Sequence, residues 1–268
     1  MPQPTDFVAM KNRLFAVSAV AAVLPLCAPA LSAQESEIEE ERREMTETSV
    51  SGLSISPLSL SVELSSRYIY RGLQYGDAPV GFATLGYGYK GFNAYILGAY
   101  AVNNSHQEVD LGVSYTYRWL TVGASDYYFP SAAGENDKYF DFDRHTTLHS
   151  VDAYVTVAPE KVPVWLTLSC YVFGNDRKAD GKNAYSSYAE LGYTYSFRQN
   201  NAISLAVGAA LNRSFYNNYE RGFSVVNIAL KYATAFRFGS FRLPVSASYV
   251  LNPEKEKSYF TFSLFFNL

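Results

Sequence analysis

The stretch 58-LSLSVELSSRYIYRGLQYGD-77 decides how the chain is to be read. Leu58, Leu60, Val62 and Leu64 alternate with Ser59, Ser61, Glu63 and Ser65. Successive side chains of a strand point to opposite faces, so one face is apolar and the other carries hydroxyls and charge. The alternation continues through Arg67 and Arg71, with Tyr68 and Tyr70 on the apolar side, which predicts one strand over 58–71. In a soluble sheet the apolar face would meet a core. On a membrane barrel it meets lipid, and the polar face lines a wet lumen.

The same period of two recurs downstream. In 107-QEVDLGVSYTY-117, Val109, Leu111, Val113, Tyr115 and Tyr117 oppose Glu108, Asp110, Gly112, Ser114 and Thr116. In 187-SYAELGYTYSF-197 the apolar and aromatic positions oppose Glu190, Gly192, Thr194 and Ser196. About twelve such segments are expected, with ten as the lower count: 58–71, 79–90, 91–102, 107–117, 119–129, 147–157, 163–173, 185–197, 202–212, 222–235, 241–251 and 258–268. Connections after even-numbered segments are short, as at Lys90-Gly91 and Arg118-Trp119. Those after odd-numbered segments are mostly longer and polar, as in 174-GNDRKADGKN-183. Short turns at one end and long loops at the other are the wiring of outer-membrane barrels.

A secreted sandwich or soluble barrel is the rival architecture. It fits less well, because many of the polar-face positions are Gly, Ala, Ser or Thr, too small to be a domain's only water-facing surface. Tyr68, Tyr70, Tyr115, Tyr117, Tyr193 and Tyr195 fall near segment ends on the apolar face, as an interfacial girdle would. The last segment, 258-SYFTFSLFFNL-268, carries Phe260, Phe262, Leu264, Phe266 and Leu268 on one face. Left open to water, such an edge invites aggregation, and pairing with the first strand removes it. The reading is therefore an all-β fold: a transmembrane, antiparallel, up-and-down barrel over 53–268.

The ends of the chain fit export. Lys11 and Arg13 precede the apolar run 14-LFAVSAVAAVLPLCAPALSA-33, the pattern of a secretory signal peptide over 1–33, with Met10 as an alternative start. Pro25 and Pro29 argue against an uncleaved anchor, and Leu26 ahead of Cys27 argues against lipidation. With Cys27 removed, Cys170 has no partner for an internal disulfide. The segment 34–52 holds seven Glu and two Arg and is expected to be an acidic, flexible periplasmic tail. The chain's net charge of −3 comprises +1 in the leader, −5 in the tail and +1 in the body, so nothing suggests a nucleic-acid binder.

Ser66, Tyr68, Arg71 and Gly72 of SRYIYRG, with Gln74 and Pro79, resemble the start of the TorF-type porin family of Gram-negative bacteria. The similarity runs on through 91-GFNAYILGAYAV-102, 108-EVDLGVSY-115 and 127-YYFP-130, covering about residues 60–130. Arg67 stands where that family has Asp, so no role of that carboxylate carries over. The resemblance implies an outer-membrane barrel and does not establish transport; Sec-type export is expected from the signal-peptide pattern. The last segment resembles the closing strand of outer-membrane barrels, though it ends in Leu268 and not Phe, which implies insertion by the barrel-assembly machinery with outer-membrane lipid and lipopolysaccharide as surroundings.

Charge placement then suggests what the lumen does. Glu63, Arg67 and Arg71 share a face on which an Arg at the bilayer midplane would cost about 2–4 kcal/mol, so they are expected to point inward. By the same phase Glu108, Asp110, Asp152, Glu190 and Lys231 project inward from other strands. These eight are the candidate pore-lining residues of a narrow, porin-like channel passing small polar solutes or ions. A plugged structural or surface-binding barrel is the alternative, since barrels of about 8 strands are filled by side chains and those of 16–18 leave a channel. A barrel lipid hydrolase needs Ser activated by His. The adjacent His149-Ser150 would face opposite sides of a strand, so no catalytic residue is assigned. The loop 141-DFDRHTTLH-149 with Asp137 has oxygens that could attract Ca²⁺, but no ligand spacing; no metal site and no cofactor motif are assigned.

Overall fold

The structure is a computed structural model that describes residues 57–130, 137–197, 200–239 and 241–267. The signal peptide and acidic tail read from the sequence lie outside the described residues. Twelve antiparallel strands close into a barrel: β1 (Leu58–Ser65), β4 (Val80–Tyr89), β5 (Phe92–Ala101), β6 (Gln107–Tyr117), β7 (Leu120–Tyr128) and β8 (His149–Val157), then β9 (Val164–Gly174), β10 (Ser187–Phe197), β11 (Asn201–Ala210), β12 (Ser224–Phe238), β13 (Phe241–Asn252) and β14 (Lys257–Asn267). Each wall strand pairs with its neighbour along the wall, and β14 returns to β1 with Leu264 opposite Leu64. The edge that the last strand would have exposed is thereby paired.

Phase follows the sequence pattern. Leu58, Leu60 and Leu64 of β1, Leu111, Val113 and Tyr115 of β6, and Leu191, Tyr193 and Tyr195 of β10 are exposed on the outer face. Glu108 and Asp110, alternating with them on β6, are buried inside. This continuous apolar belt is the surface a barrel presents to hydrocarbon, and the closed backbone ladder leaves no unpaired edge there. The chain is a closed, twelve-stranded, antiparallel transmembrane β-barrel.

One element departs from the sequence reading. The first strand does not run to residue 71 but ends at Ser65. Residues 68–76 form a separate hairpin, β2 (Tyr68–Tyr70) and β3 (Leu73–Gly76), which pairs with itself and with no wall strand. The cause is the Arg71-Gly72 turn, whose φ angles of 47° and 76° are both positive, as a two-residue type I′ hairpin turn requires. Arg67 and Arg71 therefore do not share a strand face with Glu63. Tyr68 and Tyr70 are not part of a girdle; each is only 2% exposed, inside the barrel.

The core sits within the long-loop half of the lumen. Tyr68 and Tyr70 of the hairpin pack there with Phe82, Leu97, Tyr127 and Tyr171 from the wall. Phe215 and Tyr216, from a short 3₁₀ turn (Phe215–Asn217) after β11, fold into the same cluster. The short-turn half is built differently. Tyr95 opposes Gly112 across β5 and β6, and Trp165 opposes Gly192 across β9 and β10. In both pairs the ring lies over the glycine, so that a Cβ there would overlap it.

Candidate functional site

Arg71 sits at the apex of the hairpin and is carried across the lumen. Its Nη2 donates to Asp152 Oδ2 of β8 at 3.0 Å, and Nη1 donates to the Tyr216 hydroxyl at 2.6 Å. The guanidinium also lies over the rings of Tyr70 and Tyr188, 4.9 and 4.6 Å from their centroids. Burial holds the Tyr216 phenol well above its ordinary pKa, so it stays neutral as an acceptor. Next to Arg71, the Gly72 carbonyl accepts from Asn252 Nδ2 at 2.9 Å, tying the tip to the far end of β13. A Cβ on Gly72 would overlap the Val226 carbonyl oxygen of β12. The hairpin thus spans the barrel from β1 and β4 to β8, β12 and β13.

The eight residues singled out in the sequence divide into groups. Arg71 and Asp152 meet directly as a buried ion pair. Glu63, Arg67, Arg71, Glu190 and Lys231 border one cavity of about 140 Å³ under the hairpin, between it and β1 and β10 to β14. Glu190 is held by the Tyr188 hydroxyl and by Asn227 Nδ2, the latter at 2.8 Å. Lys231 Nζ lies 5.8 Å from the Phe265 ring centroid. Glu108 and Asp110 lie away from that cavity on β6, and His106 Nε2 is 2.9 Å from Glu108 Oε2. The cavity wall is otherwise rich in hydroxyls, including Ser65, Ser204, Ser246 and Ser263.

Of the groups that hold the hairpin tip, Asp152 was singled out in the sequence, whereas Tyr216 and Asn252 were not. Tyr216 lies in 213-RSFYNNYERG-222, and its three aromatic side chains were the available signal that this loop folds inward. Asn252 and Asn227 carried no signal before the register was known.

Several buried polar atoms around the hairpin have no hydrogen-bond partner among the described residues: the hydroxyls of Tyr70, Tyr75, Tyr127 and Tyr171. Polar groups so enclosed are ordinarily satisfied by water.

His149 and Ser150 face opposite sides of β8. Ser150 pairs with Tyr127, whose side chain is in the lumen, while the His149 ring is packed against Tyr128, Tyr139 and Phe142 on the outside. Its Nε2 donates to the Tyr139 carbonyl at 2.6 Å, so it is not placed to activate Ser150. In the loop 141–149, Asp141 Oδ1 and Asp143 Oδ1 accept the loop's own amides, from Asp143 and His145 at 3.0 and 2.8 Å.

No family model matches the chain, and no curated protein matches it either. Among solved structures it is similar to a KdgM porin, with 9% identity and a TM-score of 0.45, over 78% of this chain and 97% of that one. It is also similar to an outer-membrane channel from Pseudomonas putida F1, with 14% identity and a TM-score of 0.41, over 81% and 96%. Likeness at this level concerns the course of the backbone only.

Proposed function

We propose that the barrel is a narrow channel of the outer membrane for passive diffusion of small polar solutes or ions, with the 68–76 hairpin as its constriction. One observation carries this reading: the hairpin crosses a polar lumen, and its tip is held by side-chain hydrogen bonds to the wall, not by strand pairing with it. A two-stranded hairpin of this size has little stability of its own. Its position therefore depends on Arg71, Tyr216, Asp152 and Asn252. The hydroxyls and charged groups that border the cavity under the hairpin, among them Glu63, Arg67 and Lys231, would give permeating water and ions groups to bind.

Glu63, Arg67, Arg71, Glu108, Asp110, Asp152, Glu190 and Lys231 are the lining of this path in the same reading. The TorF-type porin resemblance of residues 60–130 supports it. So does the apolar outer belt, for which outer-membrane lipid and lipopolysaccharide are the natural surroundings. Export by a Sec-type signal and insertion through the C-terminal strand belong to the same proposal. The apolar cluster around Tyr68 and Phe215 favours a second reading, a barrel held permanently shut.

Refolded protein in a planar bilayer separates the two. Stepwise single-channel currents are expected. A barrel shown to be folded by heat-modifiable migration, yet silent at all voltages, would overturn the channel reading.

A further inference from the structure

An acid and a histidine lie on the outer wall, where apolar side chains belong. Ser125 and Tyr127 of β7 are buried in the lumen, so Asp126 and Tyr128 point outward. The strand register places Asp126 in a lateral row of outward positions, Ile96, Leu111, Asp126, Val151 and Phe173, each opposite the next on neighbouring strands. Ile96 and Leu111 in that row are exposed members of the apolar belt. A bare carboxylate in the same row would face hydrocarbon, at a cost that rises with depth.

The segment after residue 137 covers it. His149 is 1% exposed, with Nδ1 2.8 Å from Asp126 Oδ2 and the rings of Tyr139 and Phe142 centred 5.1 and 4.7 Å from its own. Arg177 fastens the far end of the segment from the next long loop, donating to the Arg144 and Thr147 carbonyls at 2.8 and 2.7 Å. The segment thus lies down against the outside of the wall. Phe140 remains 85% exposed and Phe142 55% exposed.

We infer that residues 138–147 form a strap that dips Phe140 and Phe142 into the lipid leaflet on the long-loop side, and that its partner is the boundary between acyl chains and headgroups. The inference rests on the membrane-barrel reading. Three features point to lipid. The strap is joined through His149 to Asp126, which lies opposite Leu111 of the apolar belt. Its largest exposed rings lie beside that belt. Its charged residues, Lys138, Asp141, Asp143 and Arg144, alternate with the rings in a way suited to headgroups, and aromatic side chains concentrate at this depth of a membrane.

Spin labelling in lipid vesicles tests it. With Cys170→Ser as background, nitroxides are placed at Phe140→Cys, at Ile96→Cys on the belt and at Asp180→Cys on an exposed loop. Power saturation then compares collisions with oxygen, which enters lipid, and with a charged nickel complex, which does not. The expected result is an oxygen-to-nickel ratio at 140 within about twofold of that at 96 and well above that at 180. A ratio at 140 equal to that at 180, with 96 still lipid-like, overturns the strap alone. An aqueous ratio at 96 overturns the membrane-barrel reading and the strap together.

Discussion

Arg71 Nη2 lies 3.0 Å from Asp152 Oδ2, and both side chains are almost fully buried inside the barrel. This contact fastens a hairpin from the first loop to the eighth strand, 81 residues further along the chain. A buried pair of this kind is costly to break from one side, about 3–5 kcal/mol, because the remaining charge is left uncompensated. Arg71 of the SRYIYRG stretch makes that contact from the tip of the hairpin.

Replacing Arg71 by Gln is expected to change charge selectivity as well as width. Glu108, Asp110, Asp152 and Glu190 stay inside while the buried cation among them is lost. In a salt gradient the reversal potential should move toward that of the cation. An unchanged potential in a conducting variant would remove Arg71 from the permeation path.

Gly72→Val is expected to unseat the hairpin without breaking the wall. The added side chain meets the Val226 carbonyl, and a β-branched residue is strained at a φ of 76°. The twelve wall strands do not pair with the hairpin. Heat-modifiable migration should therefore persist, while protease access to the hairpin rises from nearly nil to readily measured.

The wall of the barrel was legible in the sequence because its faces see two solvents. Over 107–117 the alternation gave β6 with its observed bounds, and it placed Glu108 and Asp110 inside and Leu111 outside. The hairpin was not legible, because 68-YIYRGLQY-75 keeps the period of two while turning inward. Only the Arg-Gly pair signalled the reversal, and a non-glycine residue at positive φ is uncommon enough to hide it. The outward Asp126 was missed for another reason. Its cover depends on His149 and on a loop that returns over the wall, and neither contact follows from strand phase.

Gly112→Ala should destabilise the wall by about 1–3 kcal/mol, because the Tyr95 ring occupies the place of the new methyl group. Urea unfolding from lipid vesicles gives the measure. Adding Tyr95→Leu should recover part of the loss. If both variants unfold at the same urea concentration as the parent, the ring does not rest on the glycine.

His149→Ala should release the strap at its centre. The mutation removes the bonds to Asp126 and to the Tyr139 carbonyl and the ring contacts with Tyr139 and Phe142. Trypsin should then cut after Lys138 and Arg144 several-fold faster than in the parent, while the barrel itself remains resistant. Equal cleavage rates would mean that Arg177 alone holds the segment.

The most direct measurement compares single-channel currents of the full barrel with those of a barrel whose residues 68–76 are replaced by a short Gly-Ser linker. Removal of the hairpin is expected to raise the current step several-fold and to lengthen the open time, with the variant still heat-modifiable. Steps of equal size in the two proteins, or silence in both, would contradict a lumen whose constriction is that hairpin.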